Sequence, residues 1–99
     1  MTKTYQVNLT QQAQNDLEHI FYYIADDSIK NAENFVRQLE IKIISLETSP
    51  ARNPFIPENE FFDTEYRHLL HKNYRIIYRT AKESVFVLRI IHGAQLLKL

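Results

Sequence analysis

The stretch Tyr74 to Gly93, YRIIYRTAKESVFVLRIIHG, constrains this chain more than any other. Tyr74–Thr80 and Val85–His92 are dense in aromatic and β-branched residues, which suit a pleated, partly buried surface. Only the polar Ala81-Lys82-Glu83-Ser84 interrupts them, so the stretch reads as a β-hairpin. In the register this break suggests, Thr80 faces Val85, Tyr78 faces Val87, Ile76 faces Arg89 and Arg75 faces Ile90. Alternation of side chains then assigns Arg75, Ile77, Arg79, Phe86, Leu88, Ile90 and His92 to one face. Tyr74, Ile76, Tyr78, Val87, Arg89 and Ile91 take the other. Both faces mix apolar bulk with arginine, the pattern of a hairpin covered on one side and used on the other.

The rest of the chain supplies the cover. Tyr5, Val7 and Leu9 alternate with polar residues, so Lys3–Leu9 reads as a strand. Thr10 stands at an N-cap position, and Ala13, Leu17, Ile20, Phe21 and Ile24 form a helical stripe, with Asp16 and Glu18 off it. Ser28 caps a second helix with the stripe Ile29, Ala32, Phe35, Val36, Leu39, Ile43 and Leu46, which Thr48-Ser49-Pro50 stops. So short a link makes the helices an antiparallel hairpin, whose stripes need an apolar surface to cover. Ala51–Thr64 holds Pro54 and Pro57, has no period and reads as a loop. Glu65–His71 is a further strand, turning at Lys72-Asn73 so that His71 faces Tyr74 and Leu69 faces Ile76. That register puts Tyr66, His68 and Leu70 on the face of Arg75, and Arg67 beside Tyr78 on the other. The expected fold is α+β: an N-terminal strand and a helical hairpin packed on an antiparallel β-sheet, in the order β-α-α-β-β-β, as one domain spanning residues 1–99.

Composition removes several function classes. Hydrophobic content of 44% and charged content of 24% are those of a globular chain. With no cysteine there is neither a disulfide framework nor a thiolate site, and with Gly93 the only glycine there is no Gly-rich phosphate loop. No apolar run approaches the ~20 residues that span a bilayer, and MTKTYQVN lacks the apolar segment of a signal peptide. The expectation is a cytoplasmic protein without a membrane partner. Net charge is zero but unevenly spread: up to Thr64 there are five basic residues against ten acidic, and from Glu65 onward seven against two. The basic sheet region therefore either meets an anionic partner or pairs with acidic helix residues of its own chain.

Candidate chemistry is sparse. His68 and His71 are three positions apart, which on a strand sends them to opposite faces, so no shared metal is expected. His92 could work as a general acid or base, or simply bond a neighbour. Glu58 and Glu60 could supply a base, although acidic loop residues are usually solvated. The arginines carry the stronger signal. Arg75 shares its expected face with His68, Arg79 and Tyr66, and Arg67 shares its own with Arg89 and Tyr78. Guanidinium suits bidentate binding of carboxylate or phosphate and stacking on aromatic rings, or cross-strand pairing that only steadies the sheet.

The order strand, helical hairpin, three-strand meander, with Arg67-His68-Leu69, Tyr74-Arg75-Ile76-Ile77-Tyr78-Arg79 and Val87-Leu88-Arg89-Ile90-Ile91-His92-Gly93-Ala94, resembles the RelE/ParE toxin superfamily. Ala13…Asp16-Leu17…Ile20…Tyr23-Ile24-Ala25 is similar too, and the likeness runs over nearly the whole chain. It implies the toxin half of a type II toxin–antitoxin pair, with a cognate antitoxin as partner and no cofactor. Two activities compete within it. A RelE-like ribosome-dependent mRNA endonuclease uses basic residues and a proton shuttle; laid on that pattern, Arg75 matches the strand arginine. The two lysine positions of the preceding strand fall at Tyr66 and His68, the second arginine falls at Gln95, and His68 and His92 are the remaining candidates. Lost charges at such a site cost several kcal/mol of transition-state stabilisation. A ParE-like inhibitor of DNA gyrase ends instead in HGAR, which His92–Gln95 matches except at Gln95. The ParE-like reading is the one favoured, with Arg67, Arg75, Arg79, Arg89, His92 and Gln95 as binding contacts. A degenerate, non-toxic binding member is the third.

Overall fold

Residues 4–98 are described by the computed structural model of the protein. Lys3, expected to open the first strand, and the apolar Leu99 lie outside them. The element order is β1 (Gln6–Leu9), α1 (Gln11–Ala25), α2 (Ile29–Ile44), α3 (Asn59–Phe62), β2 (Arg67–His71), β3 (Tyr74–Ala81) and β4 (Ser84–His92). The helical hairpin and the meander stand where the periodicity puts them, and the α+β architecture follows. The direction of the first strand differs. β1 joins the sheet parallel to β4, with Val7 beside Val85 and Leu9 beside Val87, so the order β1-β4-β3-β2 makes a mixed sheet rather than an antiparallel one.

Thr10 joins three elements. Its backbone N–H donates to Val87 C=O at 3.0 Å and its hydroxyl to Leu88 C=O at 2.9 Å, which ends β1 against β4. The same hydroxyl oxygen accepts from the Ala13 N–H at 3.2 Å, which starts α1. Past this point β1 no longer covers the β4 edge and α1 runs beside it. There the Asp16 carboxylate accepts from the Ile90 N–H at 2.8 Å, so a side chain serves as the missing strand partner. Ser28 caps α2 in the same way as Thr10, accepting from Asn31.

The helices cover one sheet face. Ala13 and Ile20 of α1 and Leu39 and Ile43 of α2 bury Ile76, Tyr78, Val85, Val87 and Ile90 beneath them. On the far face a second, smaller cluster joins Ile77 and Ile91 to Ile56 and Leu97, with Tyr66 packed against it. Its cover is the segment after α2 and residues 93–98. The segment runs along the outer edge of β2, where Phe55 pairs with Arg67 and His68 donates to Pro54 C=O. It then turns into α3, a short helix absent from the sequence reading, pinned by Asn59. That side chain donates to Tyr66 C=O at 2.9 Å and accepts from the Tyr66 N–H at 3.1 Å.

Strand pairing follows the expected register at Thr80–Val85 and Tyr78–Val87, then shifts between Ile77 and Tyr78. Leu88 is the extra residue of a bulge, so Ile77 faces Arg89, Ile76 faces Ile90, Arg75 faces Ile91 and Tyr74 faces His92. The expected pairs Ile76–Arg89 and Arg75–Ile90 are therefore each one residue off. The slip moves Ile90 and His92 to the helix face, and Ile91 and Arg89, which was expected on the face of Tyr78 and Arg67, to the far face, because side-chain direction has a period of two.

Tyr78 is fully buried, and its hydroxyl donates to Pro50 C=O while accepting from Asn53 Nδ2 at 3.0 Å. Burial of the ring is the main cause that raises its pKa above the usual tyrosine value. Tyr78→Phe leaves Pro50 C=O without its partner in the interior. The expected cost is about 1–3 kcal/mol of stability in urea unfolding with an unchanged m-value.

A guanidinium-bearing sheet as the candidate functional site

Strand alternation distributes the four strand arginines, and the structure divides them into two kinds. Arg75 sits on the far face of β3 and is 5% exposed. Its guanidinium makes a bidentate pair with Glu58, Nη2 to Oε2 at 2.6 Å and Nη1 to Oε1 at 3.1 Å, and a third bond from Nη2 to Gln95 C=O at 2.8 Å. Glu58 Oε2 also accepts from the Leu97 N–H at 3.0 Å. The expectation that Glu58 is a solvated loop residue is thus overturned, since it is only 4% exposed. Arg89 likewise pairs with Asp16, Nε to Oδ2 at 2.8 Å and Nη2 to Oδ1 at 3.1 Å, and this bond is the main cause that raises its pKa.

Arg67 and Arg79 have no carboxylate partner among the described residues. Arg67 donates to Asn53 C=O and lies 3.9 Å from the Phe55 ring centroid; Arg79, exposed, lies 4.5 Å from that of Phe86. Stacking keeps the guanidinium plane oriented while leaving its edge to solvent. Of these two, Arg79 is open to solvent and Arg67 is half-buried.

The residues singled out as a catalytic set do not converge. Arg75 and His68 share the far face, where burial and the charge of Arg75 lower the His68 pKa and leave it a poor cation at neutral pH. His68 Nδ1 and Arg75 Nε are buried without hydrogen-bond partners. His92 was expected on that same face. The bulge carries it to the helix face instead, where its exposed ring lies 5.7 Å from that of Tyr74. Gln95 is exposed and serves the far face through its backbone carbonyl, which any residue there would supply. No three His, Cys, Asp or Glu side chains among the described residues gather as a metal site would need.

Sequence reasoning left open own-chain pairing of the arginines but did not assign Asp16 and Glu58, the two carboxylates that organise this surface. Asp16 sits in a helix off its apolar stripe, a position indistinguishable from a solvated one until the β4 edge is placed beside it. Glu58 lies in an aperiodic loop, and its only local signal is the neighbouring prolines.

The profile of the ParE toxin of the type II toxin–antitoxin system parDE matches residues 7–97. Among solved structures, one from the chromosomal ParDE toxin–antitoxin system of P. aeruginosa is similar at a TM-score of 0.71 with 18% identity, covering 90% of this chain and 96% of that one. One from the RelBE2 toxin–antitoxin complex of Mycobacterium tuberculosis is similar at 0.68 with 21% identity, covering 96% and 98%. At these identities the likeness is one of fold. No curated protein sequence matches.

The Arg75 hydrogen bond, reinforced by the Leu97 N–H and opposed by burial, holds the Glu58 carboxyl down at about 2 against its usual 4.5. A depressed carboxylate pKa contributes stability above the unfolded value and loses it as pH falls through the folded one. The contribution is about 3 kcal/mol at neutral pH and is lost between about pH 4.5 and 2. Urea unfolding across that window is expected to destabilise the native protein by about 3 kcal/mol more than the Glu58→Gln variant.

Proposed function

The chain belongs to the ParE toxin family of type II toxin–antitoxin systems, and we propose that it acts in the cytoplasm as an inhibitor of DNA gyrase, held in check by a cognate antitoxin. The observation that carries the gyrase reading over mRNA cleavage is the state of Arg75. A nuclease of this fold would need that guanidinium free to meet a phosphate developing negative charge. Here it is buried, neutralised by Glu58 and bonded to Gln95 C=O. Of the two proton-transfer candidates, His68 shares the face of Arg75 while His92 lies on the opposite face of the sheet. The strand arginines left without a carboxylate are the half-buried Arg67 and the exposed Arg79, contacts for an anionic partner rather than catalysts. An antitoxin with an acidic segment suits the same cations. No helix among the described residues is long and apolar enough to cross a membrane.

Two assays separate the readings. Purified protein is added to gyrase with supercoiled plasmid, and separately to ribosomes translating a defined mRNA. Loss of supercoiling activity or trapped cleaved DNA, with intact mRNA, is the expected result; cuts in the ribosomal A site with unaffected gyrase would overturn it. If both are silent while antitoxin binds tightly, the protein is a non-toxic binding member and the gyrase reading also falls.

Gln95 gives a sharper test. Its side chain is exposed, and the backbone carbonyl makes the contact that matters to the fold. Gln95→Arg completes the HGAR ending and is expected to strengthen gyrase inhibition while changing stability by less than about 0.5 kcal/mol, measured by titration of supercoiling and by urea unfolding.

A further inference from the structure

The segment after Gly93 is held in an unusual way. Its local bonds, Ala94 N–H to His92 Nδ1 and Gln95 N–H to His92 C=O, only form the turn that leaves β4. Beyond that turn, the hydrogen bonds that reach the rest of the fold among the described residues are two. Arg75 donates to Gln95 C=O and Leu97 donates to Glu58, so both end on one ion pair. Only the Leu97 side chain is buried, 3% exposed, while Ala94, Gln95, Leu96 and Lys98 face solvent. The cluster it closes, Ile56, Ile77, Ile91 and Leu97, is separate from the main core under the helices.

We propose that residues 94–98 form a strap that opens from the far face as a unit while the helices, the sheet and the Gly93 N–H bond to Asn73 C=O stay in place, with the Glu58 carboxylate as its latch. Opening removes one apolar side chain and two hydrogen bonds and leaves the main core untouched, which is what a low-energy local unfolding unit requires. Glu58 is the latch because its Oε2 carries both the tie to Leu97 and the shorter of the two Arg75 bonds. Without it the Arg75 guanidinium is no longer aimed at Gln95 C=O from a fixed position. The open form uncovers an apolar floor of Ile56, Ile77 and Ile91 with the Arg75 guanidinium at its edge. A carboxylate from outside can then reach what Glu58 and the strap enclose in the closed form.

Amide hydrogen exchange followed by NMR, at low urea concentrations, tests this in the full chain. In the native protein the Leu97 amide is expected to exchange at least about a hundredfold faster than that of Leu39 in α2, at a rate insensitive to urea, because its opening exposes little surface. Glu58→Gln should speed Leu97 exchange a further tenfold or more with the urea-insensitivity retained, about the loss of a charged hydrogen bond. Leu97 exchanging with the slow, steeply urea-dependent behaviour of Leu39 in the native protein would overturn the strap. That result needs no variant to fold. Local Leu97 exchange that is unchanged in Glu58→Gln would overturn the latch.

Discussion

A single carboxylate on the far face ties three parts of the chain that share no secondary structure. Glu58 comes from the proline-bearing loop, Arg75 from the middle of β3, and Gln95 and Leu97 from the segment after β4. A buried ion pair of this kind contributes little net energy compared with a well-packed apolar replacement, because desolvation offsets attraction. Its force lies in the asymmetry: removing either partner leaves an uncompensated charge in the interior, a loss of several kcal/mol. The pair therefore fixes where the loop and the C-terminal segment lie more than it adds to stability, and the small cluster around Ile77 and Leu97 forms inside the frame it sets.

The same arrangement settles the chemistry left over for the surface. The sequence puts a marked excess of positive charge after Glu65, and half of the strand arginines spend theirs on carboxylates of the acidic first part of the chain. Arg89 does so while Asp16 also completes the β4 edge, so one residue of α1 meets both a charge and a backbone need. Arg67 and Arg79 rest on phenylalanine rings instead. The excess of basic residues in the strands thus resolves into two neutralised arginines, Arg75 and Arg89, and two without a carboxylate partner, Arg67 on the helix face and Arg79 on the far face. That division favours gripping a partner over stabilising a transient phosphorane, which would need converging, unpaired cations.

How much of this was legible depends on the range of the interaction concerned. The caps at Thr10 and Ser28, the helical stripes apart from Ile29, which is exposed, and the β2–β3 register are written in residues a few positions apart, and the structure repeats them. Alternation at Tyr5, Val7 and Leu9 announces a strand but is the same for parallel and antiparallel neighbours, so the direction of β1 relative to β4 is not in it. The bulge at Leu88 lies inside Val87–Ile91, where no glycine marks the extra position and Arg89 keeps the same alternation a regular strand would, and it alone reverses the face of His92. Glu58 and Arg75 are separated by 17 residues and a turn of chain with no period. Nothing short of the assembled sheet brings them together, and so the central contact of the candidate site was the least readable.

The parallel placement of β1 also governs when the protein can exist. β1 hydrogen-bonds only to β4 within the sheet, and Thr10 reaches Leu88 across 78 positions. A nascent chain can form its helical hairpin early, yet the opening strand stays unpaired until the final strand has left the ribosome, and closing so long a loop delays folding further. A chain cut short anywhere before β4 lacks the strand on which both β1 and the α1 edge contacts depend. Any partner that recognises the finished sheet therefore has to wait for β4.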